Sequence, residues 1–151
     1  MLKLVRLILL GAVILFPAFS AAGKRFDGNW QTKLTCPPRG STEGYTWEFP
    51  SVIQNSNFHG ERGIAGEKGY YLLEGKISED GTATLFASGI VTSRKYARGI
   101  FAHGSADYSY DVKAQFNETA GTGTRSEGLG IVGRTCTFEF VKKAANQSIE
   151  Q

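Results

Sequence analysis

The chain has 151 residues, with 17 basic and 14 acidic side chains and two cysteines. That length is one domain's worth and enough to bury a real core; two domains would be strained. Lys3 and Arg6 fall within the first 22 residues, so the remainder carries 15 basic against 14 acidic residues. Such near-neutrality lacks the electrostatic footprint of nucleic-acid binding.

Lys3 and Arg6 form a positive opening, Leu7 to Phe16 an apolar stretch, and Ala18 to Ala22 a run of mostly small residues. This is the pattern of a secretory signal peptide over residues 1–22, cut near Ser20 to Gly23. The apolar stretch is roughly half the length that a spanning helix needs, so no membrane association is expected after cleavage. A periplasmic or secreted location follows. There the Cys36 and Cys136 thiols oxidise, and only one pairing exists. Closing that loop stabilises the fold by about 4 to 5 kcal/mol on the chain-entropy model.

Residues 23–143 alternate apolar and polar side chains almost throughout, and glycines separate short β-rich runs. The predicted strands are 28–36, 44–50, 51–55, 57–63, 69–78, 82–92, 107–117, 120–126 and 133–142. A merger across a bulge at Phe49-Pro50 reduces them to eight, since proline cannot donate to a central ladder. Tyr45, Trp47 and Phe49 share one face. At Ser78-Glu79-Asp80-Gly81-Thr82 a three-residue loop with Gly81 left-handed opposes Ile77 to Ala83 and Leu73 to Ala87, which keeps apolar partners together. Tyr108, Tyr110, Val112, Ala114 and Phe116 alternate with five polar residues, as in a half-buried strand. The tail 144–151 reads as disordered.

Placing Cys36 opposite Cys136 in an antiparallel pair fixes the register of the first strand against the last. Leu34 then meets Phe138 and Thr32 meets Phe140 on the cystine's face, while Lys33 meets Glu139 on the other. A first strand paired with the last closes the sheet, so the expected fold is an all-β antiparallel barrel of about eight strands. Gly28-Asn29-Trp30 at the start of the first strand resembles the G-x-W motif of the calycin barrels, the lipocalin and avidin group. That resemblance implies a tryptophan plug at one barrel end, with a basic side chain of the last strand packed over it. Lys142 falls opposite Trp30 in the register, at the place of the more usual arginine, so Trp30, Lys142 and Gly81 are expected to be structural. The chain is also similar in size and disulfide content to the small periplasmic inhibitors of secreted metalloproteases. In those, an N-terminal segment enters the enzyme, whereas here only Gly23 to Phe26 precede the barrel.

Signatures of catalysis are sparse. His59 and His103 are the only histidines, and neither an H-E-x-x-H motif nor a G-x-S-x-G elbow is present. No metal, cofactor or enzymatic activity is expected. Gly121-Thr122-Gly123-Thr124-Arg125 reads as a glycine-rich strand, because no helix follows to make it a phosphate loop. With a loop over Asn117 to Ala120, Arg125 points into the barrel; a slip of one residue turns it out to solvent. Thr92 to Ala106 is the longest connection and suits a lid over the barrel mouth. Its Arg94, Tyr96, Arg98, Phe101 and His103, with Arg125, are the candidate ligand-binding residues. The expected function is a non-enzymatic, monomeric barrel holding a small anionic or amphipathic ligand. The alternative is a protein-binding module, such as a periplasmic inhibitor of a secreted hydrolase, acting through its exterior.

Overall fold

The computed structural model describes residues 24–96, 107–125 and 135–144. Eight antiparallel strands pair each with the next, and the first with the last, into a closed barrel. They are β1 (Gly28–Cys36), β2 (Tyr45–Gln54), β3 (Asn57–Arg62), β4 (Tyr71–Lys76), β5 (Thr82–Ile90), β6 (Asp107–Phe116), β7 (Ala120–Arg125) and β8 (Cys136–Lys142). The two short runs around Phe49 and Pro50 form one strand. Their register against β1 runs unbroken through Thr32–Phe49, Gln31–Pro50 and Trp30–Ser51, so no bulge is needed on that side. Pairing of β2 with β3 begins only at Ser51–Gly60, which leaves Pro50 outside that second ladder.

The closing seam has the register expected from the cysteines. Trp30 faces Lys142, Thr32 faces Phe140 and Leu34 faces Phe138, while Lys33 lies beside Glu139 with the charges 4.0 Å apart. Cys36 and Cys136 are bonded one pair beyond the ladder's end. The hairpin between β4 and β5 is also as expected: Ile77 bridges Ala83, and Gly81 has φ +86°. A Cβ there would collide with the Phe116 carbonyl, so the position combines a left-handed backbone with contact against a neighbouring strand.

Every strand sends alternate residues inward, and the core is the barrel lumen itself. Toward the end where β1 begins, the rings of Trp30, Phe58, Phe116, Phe138 and Phe140 touch one another, with centroids 4.7 to 6.0 Å apart. Trp30 donates its indole N–H to the Phe26 carbonyl at 2.9 Å, and Lys142 Nζ stands 5.9 Å from the indole centroid. This end is plugged. The outer face carries Lys33, Glu48, His59, Glu74, Asp111, Lys113 and Glu139 at mid-strand positions, all exposed or half-exposed. Charges in such places suit a barrel bathed in water, since a lipid-facing surface would be penalised for each.

The two ends differ in their connections. At the plugged end the links are short, 55–56, 77–81 and 117–119; at the other they are 37–44, 63–70, 91–106 and 126–135. Long connections offer a surface that a tight turn cannot, so the fold already singles out one end. Residues 1–23, which include the expected signal peptide, lie outside the described residues, as does the tail from 145.

Candidate functional site

At the long-loop end the inward residues change character. Below lie phenylalanines and aliphatic side chains; here the strands present Tyr45 and Trp47 from β2, Arg62 from β3, Tyr71 from β4, Tyr108 and Tyr110 from β6, and Arg125 from β7. Sheet parity puts them there, because Arg62 shares a face with buried Phe58 and Gly60, and Arg125 with buried Gly121 and Gly123. The pairs Phe116–Gly121 and Ala114–Gly123 fix the β6–β7 register, and with it the inward course of Arg125.

The rings form a continuous chain. Tyr45 lies 4.5 Å from Trp47, Trp47 5.7 Å from Tyr71, Tyr71 6.4 Å from Tyr110, and Tyr110 stacks on Tyr108 at 6.0 Å. A guanidinium covers each flank: Arg62 stands 4.5 Å from the Trp47 ring centre and Arg125 3.7 Å from that of Tyr110. Arg62 also donates to the Gly69 carbonyl at 3.0 Å, which ties it to the β3–β4 connection. Tyr71 is fully buried beneath; the other six are half-buried, presenting part of their surface at the barrel end. Tyr108 lies across Gly89, where a Cβ would come within 2.6 Å of its hydroxyl oxygen. The missing side chain makes room for the ring.

The phenols are held neutral. Burial pushes the Tyr71 hydroxyl well above the usual tyrosine range, with Tyr110 adding to it, and burial does the same to Tyr108. Tyr110 is pushed up to about 12 by burial, against the pull of the Arg125 charge. Its hydroxyl donates to Tyr71 Oη at 3.0 Å. The Arg125 and Arg62 charges both pull the Tyr108 hydroxyl down, against the larger effect of burial.

Of the residues singled out in the sequence, Arg125 and Tyr96 belong to this cluster. Tyr96 ends a 3-10 turn, Arg94–Tyr96, and meets Tyr45 edge-on at 5.8 Å. That turn is pinned on the opposite side of the barrel end from β5, because Lys95 bonds Glu43 twice. The Glu43 amide donates to the Lys95 carbonyl at 2.9 Å, and Lys95 Nζ meets Glu43 Oε2 at 3.0 Å. The described start of the long connection thus crosses the mouth as a strap. Arg94 opens the turn, while Arg98, Phe101 and His103 lie outside the described residues. His59 is on the outer face, half-exposed, 3.7 Å from Glu61, and takes no part. Asn117, Glu118 and Thr119 form the β6–β7 turn, in which Asn117 Oδ1 accepts the Thr119 and Ala120 amides.

Arg62 and Tyr71 were not anticipated, and Tyr45, Trp47, Tyr108 and Tyr110 were expected only as the apolar faces of their strands. The parity Phe58, Gly60, Arg62 carried the signal, but a cation at a strand end reads by default as solvated. A shallow, open depression of about 520 Å³ lies elsewhere, on the outer face between His59, Glu74, Lys76 and Phe86. Among the described residues no group of histidine, cysteine and carboxylate side chains is placed to hold a metal ion. No protein-family model matches the chain, and no curated protein matches its sequence.

Proposed function

We propose that the protein is a non-enzymatic binding barrel of an oxidising, exported compartment, and that it holds a small anionic or amphipathic ligand at its long-loop end. One observation carries this reading: two guanidiniums, Arg62 and Arg125, lie on the half-buried rings of Trp47 and Tyr110 at the end bearing the four long connections. Rings supply apolar contact area and guanidiniums recognise oxyanions, and binding surfaces are enriched in both. Neither group suits proton transfer near neutrality. Guanidiniums stay charged and the phenols stay protonated, which favours recognition over acid–base catalysis.

The cystine supports the exported location and, with it, the signal-peptide reading of residues 1–22. The contact of Lys142 with the Trp30 plug supports kinship with the calycin barrels. A second reading is favoured by the filled lumen: a barrel packed with its own rings can act through its surface, and Tyr, Trp and Arg are the side chains that anchor protein partners.

Native mass spectrometry of the protein from its own compartment, before and after denaturation, separates the two. Ligand carriage predicts a small extra mass lost on denaturation and absent from Arg125→Gln. A bound polypeptide in its place, undisturbed by Arg125→Gln, would defeat the carrier reading.

A further inference from the structure

Resting on that reading, we infer that the ligand is a planar aromatic carboxylate lying flat across the barrel end, and not an acyl chain inserted along its axis. The lumen beneath the site is occupied. Phe49, Leu73, Leu85 and Val112 are buried directly below it, and the phenylalanine cluster fills the remaining depth to Trp30. A flexible chain has nowhere to descend, so the bound molecule is limited to what the end itself can hold.

The floor of that end is made of rings. Trp47, Tyr108 and Tyr110 are half-buried with part of their surface exposed, and a flat aromatic solute pairs with such rings by offset or edge contacts that a chain cannot make. The same floor fixes the charge. Arg62 and Arg125 flank the ring chain, one over Trp47 and the other over Tyr110. Among the described residues no carboxylate is within ion-pair distance of Arg62, whose described partners are the Trp47 ring and the Gly69 carbonyl. The phenols that share the site stay protonated and able to donate. Guanidinium forks match the two oxygens of a carboxylate, and the half-buried setting strengthens the pairing relative to open water.

The test is calorimetric titration of the oxidised protein with three probes: 2-naphthoate, its neutral amide 2-naphthamide, and decanoate. The inference expects one saturable site for 2-naphthoate, at least tenfold tighter than for either other probe. Arg62→Gln and Arg125→Gln should each weaken 2-naphthoate about tenfold or more and leave 2-naphthamide nearly unchanged. Should a variant fail to fold, the three-probe comparison on the unaltered protein decides. Decanoate binding as tightly as 2-naphthoate, and losing affinity with the same arginines, would overturn the aromatic class while keeping the site. No binding of any probe would overturn the inference, whereas the binding-barrel reading is judged separately by the mass of what the protein carries.

Discussion

Arg125 owes its place to a register that its own neighbourhood sets. Phe116 opposite Gly121 and Ala114 opposite Gly123 leave Arg125 on the inward face, over Tyr110. The sequence left two outcomes open because a one-residue slip in the turn reverses every side chain. What decides it is Asn117, whose carboxamide closes the turn on Thr119 and Ala120. Trp30 was easier to place, since its motif and its partner Lys142 agreed. Loss of its indole N–H should matter, because the Phe26 carbonyl would lose its buried donor. Trp30→Phe is expected to cost about 1 to 3 kcal/mol in urea unfolding. The phenols give a prediction in pH. Their folded pKa values lie above the unfolded one, about 10, so the stability they contribute is complete below pH 10. It is lost as pH rises through the folded values, about 12 for Tyr110. The urea midpoint should therefore fall from pH 10 upward, with Tyr71, Tyr108 and Tyr110 gaining phenolate absorbance only as the barrel opens. Six phenols titrating freely near pH 10 in the folded protein would contradict this.

Among the elements, strands were legible to within two or three residues at their ends, because each is buried on one face only and so alternates cleanly. The β4–β5 hairpin followed from parity, and Gly81 from the turn that parity demands. Gly81→Ala should destabilise the protein by about 2 kcal/mol or more, through the left-handed backbone and the collision with Phe116. Connections were less legible. Nothing in the spacing of Lys95 and Glu43, more than fifty residues apart and on different loops, indicates that they meet. Their pair is exposed and contributes little to global stability. Its effect is local: Lys95→Met should speed hydrogen exchange at the Glu43 amide, whose acceptor is the Lys95 carbonyl, while moving the unfolding midpoint little.

At the scale of the whole molecule, one bond joins the fold to the site. Cys36 lies opposite Tyr45 across β1 and β2, and Cys136 lies opposite Arg125 across β7 and β8. The cystine therefore staples the barrel's closing seam at the same end as the aromatic cluster. Replacing both cysteines by alanine should cost about 3 to 5 kcal/mol and loosen the long-loop end, with the binding proposed there, more than it perturbs the plugged end. Barrel closure was readable from two cysteines and the hydrophobic pattern beside them. The placing of Arg62 and Arg125 on the two flanks of one ring chain was not, since it depends on the sheet curling until β3 and β7 face a common lumen.

The central claim is that function resides at the long-loop end. Amide chemical shifts of the labelled protein, followed during titration with 2-naphthoate, test it most directly. The account predicts saturable shifts confined to Tyr45, Trp47, Arg62, Tyr108, Tyr110, Arg125 and their neighbours. Shifts centred on His59, Glu74 and Phe86 of the outer depression, or on the Trp30 plug, would contradict it.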